Sequence, residues 1–270
     1  AMEIIKAILL GIIQGITEWL PISSTGHMIL ADEWIQLSGG KAFVDLFMVV
    51  VQFGSILAVL VLYFHKLNPF SAKKNAKQKH DTLSLWGKVL IATIPAGIIG
   101  LLFEEKINAL FYNPTTVAIT LIVYGVGFIV VENRRRKGRI HSFAQMTCRT
   151  AALIGVFQVL ALIPGTSRSG ATILGAVMLG CSRTVAAEFS FFLAIPVMLG
   201  ASGLKLIKYA DLLVGPQLLT LLVGTVVAFA VSLFAIRFLM KFIQTHTFKP
   251  FGYYRIVLGA AVLLYFYVLI

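Results

Sequence analysis

Apolar residues fill this chain in long blocks, and the polar positions are gathered into a few short interruptions. Near-continuous apolar runs occupy residues 43–64, 83–103, 115–131, 185–204, 212–239 and 253–270. Each is close to or beyond the roughly 20 residues that a helix needs to cross a bilayer core. None shows the period of two that marks a barrel strand. Pro95 falls inside the second run and predicts a kink there. Two further apolar blocks are each divided by a polar turn. Residues 4–20 and 27–37 flank Pro21-Ile22-Ser23-Ser24-Thr25-Gly26; residues 151–163 and 171–181 flank Pro164-Gly165-Thr166-Ser167-Arg168-Ser169-Gly170. These pieces predict two re-entrant hairpins, half-helices meeting at a buried turn. Irregular backbone at that depth is tolerated only where protein or a water-filled cavity surrounds it.

The divided blocks resemble one another. Pro164, Ser167 and Glu188 lie 143 positions after Pro21, Ser24 and Asp45. Each half then holds one hairpin and three crossings, and an odd number of crossings inverts the second half relative to the first. The predicted fold class is an all-α polytopic membrane protein of two inverted repeats, each a re-entrant helix hairpin plus three transmembrane helices. Residues 1–131 form the first repeat, 132–150 a basic cytoplasmic linker and 151–270 the second repeat, within one integral membrane domain. Inverted repeats with broken helices place their site near the midplane, where half-helix termini converge.

Composition agrees with this picture and removes a rival. The 270 residues are 59% hydrophobic and 13% charged, with mean hydropathy +0.91; a soluble domain carries about a quarter charged residues. A net charge of +12 raises the question of nucleic acid. The basic residues answer it: five Lys or Arg fall in 66–79 and six in 134–149, the latter including Arg134-Arg135-Arg136-Lys137-Gly138-Arg139. Such clusters beside spans are the orientation signal of cytoplasmic loops. No nucleic-acid partner is expected; anionic lipid headgroups are. Cys148 and Cys181 sit in unrelated surroundings and suggest neither a disulfide nor a metal site. Gln14 and Glu18 interrupt the first apolar run, so no cleavable signal peptide is expected.

The candidate chemistry lies in the two turns. An arginine at membrane depth costs about 2.5–3.5 kcal/mol on insertion scales, so Arg168 is expected to be enclosed and functional. The alternative is a plain polar turn with Arg168 snorkelling to an interface. Guanidinium, clustered hydroxyls and glycine-freed amides form an anion site, strengthened by the N-terminus of the following helix. Candidate phosphate-binding residues are Ser23, Thr25, Gly26, Ser167, Arg168, Ser169 and Thr172. Glu18, Ser24, Thr25 and His27 in the first turn add a carboxylate, nucleophilic hydroxyls and an imidazole, a phosphoryl-transfer set. Gln14 and Glu18, at i and i+4, share a helix face. Glu18 suits a general base, or with Gln14 a holder of a divalent cation, Mg or Ca, on a diphosphate. Asp45 and Glu188 are expected to cap or orient the hairpins. The pairs Gly97/Gly100 and Gly200/Gly203 are expected to allow close helix packing. Phe189, Phe191, Phe192, Trp19 and Trp34 are expected to face lipid, or to line a lipid-tail groove.

With these motifs in view, the chain resembles the bacterial undecaprenyl-pyrophosphate phosphatases of the bacitracin-resistance type. That family carries a Glu/Gln-x-x-x-Glu motif, here Gln14 to Glu18; a Ser-Ser-Thr-Gly-His segment, here Ser23 to His27; and Pro-Gly-x-Ser-Arg-Ser-x-x-Thr, here Pro164 to Thr172. The resemblance covers essentially the whole chain. It implies removal of the terminal phosphate of undecaprenyl diphosphate, yielding the lipid carrier of cell-wall glycans, in the bacterial inner membrane with the site facing the periplasm. It implies functional roles for Glu18, Ser24, His27, Ser167, Arg168 and Thr172. Gln14 stands where other members have glutamate, which weakens a two-carboxylate metal site. The nucleophile stays open between Ser24, His27 and a water activated by Glu18. The expected partners are a prenyl diphosphate lipid and the bilayer, with a homodimer left open. The competing reading is a transporter or flippase of a prenyl phosphate lipid. A phosphatidic-acid-type phosphatase is set aside, because no second histidine follows Arg168 before Gly180.

Overall fold

A computed structural model describes residues 2–134, 138–209, 211, 213 and 215–269. Arg135, Arg136 and Lys137 of the basic run, and the side chain of Glu104, lie outside the described residues. The helices are α1 (Met2–Thr17), α2 (Ser24–Asp32), α3 (Gly40–Leu62), the short α4 (Phe64–Leu67), α5 (Ala76–Phe111), α6 (Pro114–Arg134), α7 (Cys148–Val159), α8 (Arg168–Met178), α9 (Arg183–Lys208), α10 (Gly215–Thr245) and α11 (Lys249–Leu264). A 3-10 turn, Leu160–Leu162, extends α7, and a π turn, Tyr265–Leu269, extends α11. Among the described residues, six helices are long and apolar enough to cross a membrane, and they coincide with the six predicted runs. Their outward faces are greasy: Leu101 is 78% exposed and Phe234 70%. Water does not tolerate such a surface over many helices, whereas lipid does. The protein is an all-α polytopic membrane protein.

Helix α5 starts earlier than its apolar run, because Asn75 and Gln78 form a capping box that begins it in polar sequence. Pro95 lies within the helix without ending it. The half-helices α1 and α2 pack on one another, as do α7 and α8. Helix α1 lies along α10 while α7 lies along α5, and α2 touches α6 and α11 while α8 touches α6 and α9. Glycines make the first two contacts close. A Cβ at Gly11 would stand 2.7 Å from the Gly224 carbonyl, and one at Gly155 would stand 2.4 Å from that of Ala92. The expected packing glycines behave otherwise: Gly97, Gly200 and Gly203 have open space where a side chain would project. Small-residue spacing marks a smooth helix face but not whether a neighbour covers it.

The hairpins enter from opposite ends of the bundle. At the end carrying the basic loops, the Arg139 and Ile140 amides donate to Gly180 O beyond α8, and Arg183 clasps Glu132 through two bonds of 2.9 and 2.7 Å. Lys66 pairs there with Glu188 at 2.5 Å. At the other end, Lys6 of α1 reaches Gln36 O beyond α2, and Trp34 donates to Tyr265. Between them lies an aromatic core. Trp19, Phe189, Phe191 and Phe192 are fully buried, so they face neither lipid nor a tail groove; Trp34 alone of the five is exposed, at 77%. Their sequence spacing does not reveal that α3, α8 and α5 cover α9.

Candidate active site

The two polar turns use the same backbone device. Ser23 and Ser167 each adopt φ 73°, and they are the described non-glycine residues with positive φ. Each caps the half-helix that follows: Ser23 Oγ accepts from the Gly26 amide at 3.3 Å, and Ser167 Oγ from the Gly170 amide at 3.2 Å. The structural match is therefore Ser23 with Ser167, 144 positions apart, and the offset of 143 is corrected by one at the turns. The second turn carries one more residue between its proline and its cap (Gly165 and Thr166 against Ile22). Ser24 then matches Arg168. Both are first residues of their half-helices, where unpaired amides and the positive end of the dipole favour an anion.

Glu18 joins the turns. Its Oε1 accepts from Arg168 Nη2 at 3.1 Å and its Oε2 from Gln14 Nε2 at 2.9 Å. Arg168 Nη1 donates to Ser190 O of α9 at 2.7 Å, and the guanidinium lies 5.7 Å from the Trp19 ring. Its Nε is buried and has no acceptor among the described residues. An orphan guanidinium N–H is costly unless a ligand answers it. Thr172 Oγ1 donates to Arg168 O at 2.8 Å and is hydrogen-bonded to Ser190 Oγ at 2.7 Å, fixing the backbone beneath the arginine.

A cavity of about 210 Å³ opens at this point, lined by Glu18, Ser24, Thr25, Gln52, Ser167 and Arg168, with Val197 and Met198 of α9 as an apolar wall. A second cavity of about 610 Å³ shares Ser24, Thr25 and Gln52 and leads past Met48, Val44 and Lys41 toward the end opposite the basic loops. The structure thus gathers Glu18, Ser24, Thr25, Ser167 and Arg168 around one space. It puts Gln14 on the wall of the larger cavity and the other candidates behind that shared space. Ser23 caps α2, Gly26 packs against Leu121, and Ser169 bonds Ser167 Oγ at 3.1 Å and Leu20 O at 3.4 Å. His27 has both ring nitrogens engaged, Nδ1 with Ser23 O and Nε2 with Tyr254 Oη, each at 2.7 Å. No hydrogen bond joins it to Ser24 among the described residues. Sequence reasoning missed Ser190, Gln52 and Arg255. Arg255 could have been found by the logic that flagged Arg168, since it too is a charge within an apolar run.

The sequence offered Glu18 and Gln14 as holders of a divalent cation, and the donor set does not fit a resident one. Glu18 already faces a guanidinium on one oxygen and an amide N–H₂ on the other. Gln14 turns its donor end, not its carbonyl, toward Glu18. No group of three or more His, Cys, Asp or Glu side chains suited to a metal exists among the described residues.

A polytopic helical bundle with a hydroxyl and a guanidinium at two half-helix N-termini and a carboxylate between them belongs to the class of membrane proteins built to hold a phosphorylated ligand within the bilayer. Comparison with known sequences narrows this. Residues 7–261 match the family described as Bacitracin resistance protein BacA, and the chain belongs to that family. It is similar, at 61% identity over 268 residues, to "Undecaprenyl-diphosphatase 1" of Clostridioides difficile (strain 630), covering 99% of this chain and 98% of that one. It is 60% identical to "Undecaprenyl-diphosphatase" of Acetivibrio thermocellus, over 98% of each, and 55% identical to that of Enterococcus faecalis, over 97% of each.

Proposed function

We infer that this chain is an integral membrane phosphatase that hydrolyses undecaprenyl diphosphate to undecaprenyl phosphate and inorganic phosphate. It thereby returns the lipid carrier to cell-wall glycan synthesis and confers bacitracin resistance. The observation that carries the reading is the shared cavity: a hydroxyl and a guanidinium, each opening a half-helix, with a carboxylate between the helices. The family membership supports the substrate.

Ser24 Oγ attacks the terminal phosphorus, and Glu18 takes its proton. The phosphoanhydride P–O bond breaks, undecaprenyl phosphate leaves, and a phosphoserine remains. Glu18 gives its proton to the departing undecaprenyl phosphate and is a carboxylate again. It then deprotonates a water that attacks the phosphoserine phosphorus. The P–O bond to Ser24 breaks, Glu18 returns the proton to Ser24 Oγ, and phosphate leaves. Arg168 and the two helix N-termini neutralise the equatorial oxygens, which is most of what such a transition state asks of a protein. His27 holds Ser23 and thereby the turn; its engaged nitrogens favour Ser24 over imidazole as nucleophile. Glu18 borders the same cavity as Ser24, which puts a carboxylate where a base is needed. A divalent cation enters, in this reading, with the diphosphate and not as a resident group.

The larger cavity opens away from the basic loops, which supports a site open to the outer face of the inner membrane. The exchanged packing of α1 on α10 and α7 on α5, and the matched turns, support two inverted repeats, 1–131 and 151–270, joined by the basic linker 132–150. The deciding experiment is phosphate release from a long-chain prenyl diphosphate by the purified chain in detergent micelles, with and without chelator. Turnover is expected where no second compartment exists. Full substrate occupancy without release would favour a carrier of prenyl phosphate lipid instead.

A further inference from the structure

Arg255 is fully buried in α11, and no carboxylate meets it among the described residues. Its guanidinium is answered by backbone carbonyls: Pro21 O at 3.2 Å, Gly165 O and Thr166 O at 2.9 Å each, and Leu121 O at 3.4 Å, with the Tyr124 ring 5.6 Å away. Burying an ion without a counter-charge costs several kcal/mol, so the arrangement needs a reason. Its acceptors supply one. Pro21 belongs to the first polar turn, Gly165 and Thr166 to the second, and Leu121 to α6. A single planar fork therefore ties both turns to one another and to the spanning helices.

We propose that Arg255 is a positioning residue that sets the two turns in register and aims the Ser167 amide at the phosphate. The peptide bonds of the described chain are trans, and a trans peptide points its N–H opposite its C=O. With the Thr166 carbonyl drawn onto Arg255, the Ser167 N–H is directed away from it, while Ser167 lines the cavity. Positive φ in a non-glycine residue is strained and persists only where its surroundings over-determine it. Arg255 provides that constraint from behind. Gly170 leaves the room, since a Cβ there would stand 3.0 Å from Arg255 Nη1. Lysine, a point charge with no planar fork, reproduces the charge but not the three-way clasp.

The inference rests on the phosphatase reading, and its test keeps the two apart. The full chain in detergent is assayed for kcat and KM on a prenyl diphosphate, for inhibition by orthovanadate, and for folded fraction by gel filtration and thermal unfolding. For Arg255→Met, folded protein is expected to lose kcat about a hundredfold, the scale of one lost anion-hole donor, with KM within about threefold. Vanadate inhibition should weaken in parallel, and Arg255→Lys should regain roughly tenfold of kcat by restoring charge. Wild-type kcat in the folded fraction of either variant, or a loss of kcat with vanadate affinity unchanged, overturns the proposal. Should neither variant fold, Tyr124→Leu decides, since it removes the ring beside the guanidinium and leaves Arg255 in place. A drop of about fivefold in kcat, matched in vanadate affinity, is expected; wild-type values overturn the assignment. A wild type that releases no phosphate sinks the phosphatase reading instead. Thermal stabilisation by vanadate then decides the role of Arg255: a smaller shift in its variants supports the assignment, and an equal shift overturns it.

Discussion

The two polar turns share a backbone and differ in what they present. Each places a serine at φ 73° as cap, and each starts a half-helix that leaves toward its own end of the bundle. At the next position one offers the Ser24 hydroxyl and the other the Arg168 guanidinium. The first turn is otherwise lightly held, with His27 and Tyr254 behind it. The second is fastened by Thr172, Ser190 and Thr120, whose hydroxyl donates to Pro164 O at 2.8 Å. In the proposed mechanism one backbone solution serves two chemical roles: a turn that attacks and a turn that binds. The binding turn needs the heavier bracing, because a guanidinium acts through direction as well as charge.

That contrast can be tested from the strongest effect down. Ser24→Ala removes the attacking oxygen and is expected to lower kcat by at least about 10³-fold with the protein folded, read as phosphate release by purified enzyme; wild-type turnover removes Ser24 from the chemistry. Arg168→Lys keeps the charge but loses the fork, and is expected to cost about 10²–10³-fold in kcat while substrate still binds. If KM alone rises, the second turn only binds. His27→Ala removes a support of the first turn, and a loss of about tenfold is expected, in line with one or two hydrogen bonds. The acidic and basic limbs of the kcat pH profile should stay in place; loss of a limb would make His27 an acid or base. Ser190→Ala, which loosens the brace under Arg168, is expected to cost about three- to tenfold. A larger fall for Ser190 than for His27 would mean that the binding turn depends more on its bracing.

Much of this is legible in the sequence, for identifiable reasons. A bilayer imposes length and apolarity on every crossing, so the six spans can be read directly and fall where the helices are. Proline, glycine and serine inside apolar runs signal the broken helices. Arg168 announces itself by the cost of a charge at depth. Arg255 carries the same signal, but nothing near it in the chain hints at a site, because its partners lie 89 to 234 residues away. The pairing of Ser24 with Ser167 is off by one for a similar reason: identity at a turn does not specify which serine bends the backbone. The aromatic residues of α9 carry no local sign that α3, α5 and α8 cover them.

That the chain crosses a membrane, where it crosses, and which residue types could meet a phosphate are all written in the order of its amino acids. Those properties follow from local transfer energies and backbone chemistry, which act residue by residue. Folding in three dimensions was needed to set Glu18 against Arg168, to give His27 to Tyr254 and not to Ser24, and to let one buried arginine hold both turns. Those outcomes depend on contacts between helices far apart in the chain, where packing geometry selects the partner and composition does not.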